Sequence, residues 1–380
     1  MTAVNGESQY FEKIRETIMS AIAVWGGGLC GRLTALLLVR AGHQVGLFEQ
    51  GSRSGEGAAA YIAAAMLAPL AEAVDATPAV IRLGRQSLPL WRQLLPSLPR
   101  PVFMQQNGSL LVWHAQDRAL ADRFSSHLQR AHGGVSPAQH WSAQQLAEAE
   151  PQLAGRFGSG LFLPEEGQLD NRQVLAALAD ALEAEGAACH WHSQVEPQTR
   201  DGWDWVVDCR GIGAQADWNR QGQSRLRGVR GEVARVYAPE VVLTRPVRLL
   251  HPRYPLYIAP KQDQVFVIGA TQLESESTAP VSVRSSLELM SALYAVSPAF
   301  GEANILEFTA GLRPTLQHHD PEIRYRCGQR RVSVNGLFRH GFMIAPAVAA
   351  AAVRLLAQLE QGGSVPAGDG VSGLAWLAVD

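Results

Sequence analysis

The sequence predicts an α/β fold in which a parallel-sheet domain is joined to a second, mostly antiparallel-sheet domain. Three observations carry this expectation. An apolar strand, a glycine turn, a helix and a second strand follow one another from residue 20. A second apolar strand of the same kind ends at Asp208. Strand-like alternation recurs at 108–113, 230–237, 248–260 and 264–270. The 380 residues are enough for roughly two domains of about 150 each.

The first unit is the most informative. Ser-Ala-Ile-Ala-Val-Trp at 20–25 is apolar nearly throughout, as a short parallel strand covered on both faces must be. Gly26-Gly27-Gly28-Leu29-Cys30-Gly31 comes directly after it. A helix then runs through Leu33, Leu36, Leu37 and Val39 to a Gly42 stop, and a second strand, Gln44–Phe48, ends in Glu49. Each glycine has a task in such a Rossmann-like unit. Gly26 permits the tight turn, Gly28 lets backbone approach a pyrophosphate, and Gly31 lets the helix pack closely on the strand. The free N–H groups of the helix N-terminus attract the anion. Glu49, 21 positions beyond Gly28, stands where a carboxylate accepts from both ribose hydroxyls. Its charge disfavours a 2′-phosphate and hence NADP, whereas the motif alone leaves NAD and FAD open.

Composition removes other chemistries. Lys13 and Lys261 are the only lysines among 33 basic residues, leaving 31 arginines, and neither follows a glycine, so a phosphate-binding P-loop is absent. The net charge of -2 without a basic run gives no footprint for nucleic acid. Cys30, Cys189, Cys209 and Cys327 are isolated, which fits neither a zinc ribbon nor a disulfide framework and suits a reducing cytoplasm. No His-Glu-x-x-His or Gly-x-Ser-x-Gly occurs, and His318 and His319 lack a carboxylate cluster of metal-binding spacing. Residues 1–18 lack a signal-peptide core and read as an extension before the fold, and no uncharged 18-residue apolar stretch suggests a membrane span.

The segment after the second strand, Gly51 through Pro69, ends in Ala-Ala-Ala-Tyr-Ile-Ala-Ala-Ala-Met-Leu-Ala-Pro, dense in small residues that let backbone lie against a flat ligand. Together with the opening unit, it resembles the glycine oxidase branch of the D-amino acid oxidase-like flavoproteins. Further landmarks agree in order. Val206-Val207-Asp208-Cys209-Arg210-Gly211 is similar to the family's returning strand, and Leu256-Tyr257-Ile258-Ala259-Pro260-Lys261 to its Tyr-Ile-Val-Pro-Arg. Val267-Ile268-Gly269-Ala270-Thr271 matches the next strand and Gly311-Leu312-Arg313-Pro314 a hallmark tetrapeptide. The stretch from Gly336 through Arg339, His340 and Gly341 to Pro346 matches the final flavin loop and helix.

The resemblance implies a glutathione-reductase-type FAD-binding domain assembled from 19–85, 142–225 and 309–380, with 86–141 and 226–308 forming the substrate-binding domain. It implies FAD as cofactor, contacted by Gly26, Gly28, Gly31, Glu49, Ala64, Met66, Gly211, Gly341 and Ile344. It implies oxidative deamination of a small amino acid, with molecular oxygen as electron acceptor and a thiazole synthase as a partner; a homo-oligomer is compatible with it. Arg313 would take the substrate carboxylate with Tyr257, and Arg339 would help hold substrate or balance charge on the reduced flavin, the competing reading of Arg339 being a structural salt bridge. Three positions depart from the family: Ala60 replaces a hydroxyl residue, Ala65 a glycine and Gln272 a methionine. A dehydrogenase using a quinone or carrier, and a flavin-binding assembly protein of weak activity, stay open as alternatives. Lys261 falls where relatives often have arginine, for a reason the sequence does not give.

Overall fold

The computed structural model describes residues 19–195, 202–220, 224–252 and 256–362. The extension 1–18 and the end of the chain from 363, assigned above to the FAD-binding domain, lie outside the described residues.

The opening unit forms as its sequence requires. Ala21–Trp25 leads through the glycine turn into the helix Leu29–Arg40, and Gln44–Phe48 pairs parallel to the first strand, Val24 opposite Leu47. These strands belong to a six-stranded sheet in the spatial order Glu322–Arg326, Arg331–Asn335, Trp205–Asp208, Ala21–Trp25, Gln44–Phe48, Ala188–His190. All its pairings are parallel except that of the two C-terminal strands. Side chains alternate across it. Ile22 and Val24 enter the main core with the helices Leu29–Arg40, Asn171–Ala184, Pro78–Leu94 and Gly341–Glu360, whereas Ala23, Trp25 and Val206 face the other way with Phe48 and Trp203. The near-continuous apolar strand is therefore buried on both faces, the condition that its composition predicts.

The helix Gly341–Glu360 is long and apolar enough to cross a membrane by composition, and it is instead a core element, with Ile344, Ala345, Val348 and Ala349 completely buried. Trp91 of Pro78–Leu94 donates its indole N–H to Phe342 O at 2.8 Å, fixing one helix against the other.

The second sheet has eight strands, in the order Asn304–Leu316, Leu226–Tyr237, Val265–Gly269, Leu256–Pro260, Val247–Leu250, Ser109–Trp113, Ser159–Leu163, Gln139–Ser142. It is antiparallel throughout except between Val247–Leu250 and Ser109–Trp113. The single strand expected over 248–260 is two strands, paired with each other. Ser159–Leu163 and all of Asn304–Leu316 belong to this sheet, whereas the resemblance assigned 142–225 and 309–380 to the FAD-binding domain. Apolar alternation fixes a strand's faces and not the sheet it joins, so sequence pattern left this undecided.

One face of the eight-stranded sheet packs on the helix Val283–Val296 through Ala234, Ile258, Phe266, Ile268, Leu289 and Leu293. The opposite face, with Val233, Ala259 and Val267, meets Ala64, Ile62 and Met66 of the small-residue segment. That segment hangs between the two sheets, and the site is built around it.

Candidate functional site

The glycine turn is shaped by contacts that exclude side chains. Gly26 has φ +93°, and a Cβ there would lie 2.7 Å from Cys209 O; a Cβ on Gly31 would lie 1.8 Å from Gly26 O. Gly28 differs, because its Cβ would meet nothing nearer than Ala58 Cβ at 3.9 Å. Thus Gly26 and Gly31 close the turn on the returning strand, while Gly28 opens onto space at the N-terminus of Leu29–Arg40, whose first amides have no intrahelical acceptor. A pyrophosphate fits such a cradle. Glu49 accepts from Gly27 N at 2.5 Å and Gly51 N at 2.6 Å, so its carboxylate braces the loop as well as standing at the strand end. Gly211, φ +57°, lies in the turn that packs under Gly26, its carbonyl accepting from Asn335 at 2.9 Å.

Sequence reasoning missed Arg32, which is completely buried behind this turn. It donates to Gly27 O at 2.6 Å, Leu175 O at 2.5 Å and Arg53 O at 2.8 Å, tying turn, helix and post-strand loop together. With no carboxylate among these partners, burial pulls its guanidinium down to about 10. The signal was an arginine in an otherwise apolar helix interior.

Ala64 and Met66 lie on the small-residue segment facing the second sheet. Ala65 between them has φ +52°, a left-handed conformation that glycine adopts freely and alanine does not. Lys261, at the end of the Tyr257 strand, reaches into this segment. It is buried, and its ammonium donates to Ala64 O at 2.8 Å, Leu169 O at 2.6 Å and Gln168 Oε1 at 3.0 Å. Burial pulls it to about 7, with Asp170 opposing. The lysine that sequence left unexplained is a clip between the second sheet and the segment that faces it.

Tyr257 and Arg313 are brought together on the same sheet face. Tyr257 stands opposite Gly269, where a Cβ would come within 2.7 Å of its hydroxyl; the Arg313 guanidinium lies over Gly231, where a Cβ would come within 2.3 Å of its Cζ. Two glycines in these strands therefore make room for two polar side chains. Arg313 donates to Thr271 O at 3.1 Å and Arg230 O at 3.3 Å and has no ion-pair partner among the described residues. Burial pulls it below the usual arginine range, with Tyr257 opposing. Burial likewise pushes the Tyr257 phenol up, against Arg313 and Arg248, so the hydroxyl keeps its proton at neutral pH. The pair is a donor set for a carboxylate.

Arg339 does not join that pair directly. It forms ion pairs with Glu72 at 2.9 Å and Asp75 at 3.1 Å. His340, in the stretch matched to the final flavin loop, is 4% exposed and meets Glu72 at 3.1 Å, and Arg248 meets the other Glu72 oxygen at 3.0 Å. Burial opposes ionisation of Glu72, but Arg339, Arg248 and His340 together hold its carboxyl well below the usual carboxylate range. Behind Arg248, Glu166 accepts from Ala71 N at 2.6 Å and from Ser109, and burial pushes it up to about 7 despite Arg248. Glu72, Glu166 and Arg248 were not legible, because single charged residues far apart in sequence carry no spacing. Gly341 opens the last helix, whose first amides lack intrahelical acceptors; Ile344, at the fourth position, is in the core. Gln272 is exposed, and the Ala60 carbonyl accepts from Asn171 at 3.1 Å.

Comparison with known proteins agrees with this geometry. The model of the DAO family, FAD dependent oxidoreductases, matches residues 21–355. A protein of Rhizobium etli named as a candidate thiamine biosynthesis oxidoreductase, ThiO, is 41% identical over 336 residues, covering 88% of this chain and 96% of its own. The bifunctional protein ThiO/ThiG of Trichormus variabilis is 26% identical over 87% of this chain and 51% of its own. The crystal structure of glycine oxidase from Geobacillus kaustophilus shares the fold with a TM-score of 0.76 at 22% identity, covering 92% of this chain and 97% of that one. A glycine cradle, a small-residue segment and a facing sheet are thus set in the frame of a flavoenzyme, and the chain belongs to the DAO family of FAD-dependent oxidoreductases.

Proposed function

We propose that this chain oxidises glycine, or a similarly small amino acid or secondary amine such as sarcosine, to an imine that water hydrolyses to a 2-oxo acid and an amine. The observation that carries the reading is the juxtaposition of Arg313 and Tyr257 on the sheet face opposite Ala64. Arg313 offers its planar fork to both carboxylate oxygens, and Tyr257 donates its hydroxyl to the same group. Ala64, Val233, Ala259 and Val267 form an apolar wall that excludes water around the Cα–N bond. No strong base is required if the amine arrives neutral; positioning and charge do the work. FAD bound there would supply the acceptor for the Cα hydride and the route by which two electrons reach oxygen, with hydrogen peroxide as the product.

In this reading Gly26, Gly28 and Gly31 receive the pyrophosphate, Glu49 the ribose hydroxyls, and Gly211, Ala64 and Met66 line the cofactor. Gly341 offers a first-turn amide to it with Ile344 one turn further on, and Arg339, its charge met by Glu72 and Asp75, borders the clamp. The substrate-side part comprises 86–141 and 226–308, extended by Ser159–Leu163 and the whole of Asn304–Leu316. The ThiO designation of the Rhizobium relative and the ThiO/ThiG fusion in Trichormus support a role in thiamine biosynthesis, with a thiazole synthase as partner. Cysteine usage supports a cytoplasmic setting.

The test is peroxide release by the FAD-loaded protein with glycine, sarcosine and small D-amino acids. Turnover of glycine or sarcosine is expected; flavin-bound protein that turns over none of them would sink the proposal. Slow reoxidation of the reduced protein by oxygen in stopped flow would make it a dehydrogenase instead.

A further inference from the structure

We propose that Glu72 is the resident occupant of an anion site beside the Arg313–Tyr257 clamp, and that it restricts the enzyme to amines bearing a single carboxylate. The inference rests on the reading that this clamp holds the substrate carboxylate.

The anion site follows from the sheet register. Val233 lies opposite Gly269, Gly269 opposite Tyr257, and Tyr257 opposite Arg248. Residues directly opposite on adjacent strands share a face, so Arg248 projects from the substrate face one strand beyond Tyr257. Arg313 lies over Gly231 on the other side, and the phenol is flanked by two guanidiniums, both of which act on it. They differ in their partners. Among the described residues Arg313 donates to main-chain carbonyls, whereas Arg248 meets Glu72 Oε1 at 3.0 Å.

The other Glu72 oxygen lies 2.9 Å from Arg339 Nη2, an ion pair, and 3.1 Å from His340 Nε2. Three cationic or cation-forming groups therefore converge on one carboxylate, as they would on a bound anion. The trio also has unused capacity: among the described residues the buried donor Arg248 Nε has no hydrogen-bond partner, nor has the buried His340 Nδ1. Buried donors are rarely left so unless something else is meant to meet them. A substrate with one carboxylate uses Arg313 and Tyr257 and leaves the Glu72 ion pairs intact. A second carboxylate on the same amine would need Arg248 or Arg339, both already neutralised by Glu72, and would be repelled by it.

The experiment uses the full chain loaded with FAD, as parent, Glu72→Gln and Glu72→Ala. Flavin absorbance is titrated with acetate and with malonate, and kcat/KM is measured for glycine and for iminodiacetate, an amine with two carboxymethyl arms. A freed, desolvated guanidinium should raise the malonate-to-acetate affinity ratio and the iminodiacetate-to-glycine ratio by at least about tenfold. Adding Arg248→Met should abolish the gain. Unchanged ratios in flavin-loaded variants, or a gain that survives Arg248→Met, would overturn the assignment. If neither variant retains FAD, Glu72 is a structural partner only and the assignment also falls. A malonate gain without turnover of any amine would keep the anion site and reject the oxidase reading.

Discussion

The glycine turn and the charged face of the eight-stranded sheet lie on either side of one segment, yet they are built in opposite ways. The turn is backbone geometry in consecutive residues: Gly26 to Gly31 create it by what they lack, and Glu49 and Arg32 brace it through main-chain groups. The sheet face is side-chain chemistry drawn from separate segments: strand register brings Arg248, Tyr257 and Arg313 onto one face, and Glu72, Glu166 and Arg339 reach it from a helix and turns outside the sheet. The turn tolerates no added atoms at Gly26 or Gly31. A side-chain site tolerates substitutions but changes what it recognises.

Breaking the turn should have the largest effect. In Gly31→Ala the new Cβ would lie 1.8 Å from Gly26 O, a main-chain atom that cannot move aside. The expected outcome is a loss of more than about 4 kcal/mol of stability and protein purified without flavin absorbance. On the sheet face, Arg313→Ala should leave FAD bound while kcat/KM for glycine falls by roughly 3–4 kcal/mol, with KM raised, because both bonds of a charged fork are lost. If Arg313→Ala also emptied the flavin site, the two regions would not be separable.

The contrast also explains what the sequence could disclose. Gly26, Gly28, Gly31 and Glu49 were legible because strand, turn, helix and acid follow in register within one unit. Tyr257 and Arg313 had no signature of their own; only the resemblance of the short stretches around them singled them out. Glu72, Glu166 and Arg248 had neither, since charged residues read as solvated until a register buries them. Lys261 stood out by scarcity, but its role depends on three acceptors, Ala64 O, Gln168 and Leu169 O, more than 90 positions away. The placement of Ser159–Leu163 in the second sheet was hidden for the same reason: pairing is non-local.

A third prediction concerns pH. Burial raises Glu166 from 4.5 to about 7, so the folded state holds a proton that the unfolded chain has already released. This contribution to stability is fully present below about pH 4.5 and is lost as pH rises through 7, amounting to about 3 kcal/mol. Glu166→Gln should abolish that fall, so the difference in urea midpoint between parent and variant should grow in the variant's favour from pH 5 to pH 8. A constant difference would show that Glu166 is ionised throughout. The smallest effect is expected at Ala65, whose φ of +52° suits glycine. Ala65→Gly should raise stability by up to about 1 kcal/mol, read as a higher melting temperature, the relief of strain outweighing the added freedom of the unfolded chain. A lower melting temperature would mean that the Ala65 methyl group, buried in the core, contributes more than its backbone costs.

The account rests on a carboxylate clamp facing bound FAD, and anaerobic reduction tests it most directly. Glycine mixed with FAD-loaded parent in the absence of oxygen should bleach the absorbance near about 450 nm that marks oxidised flavin. The Arg313→Ala protein should bleach only at glycine concentrations about a hundredfold higher. Equal bleaching of the two proteins, or none in either with flavin bound, would contradict the account.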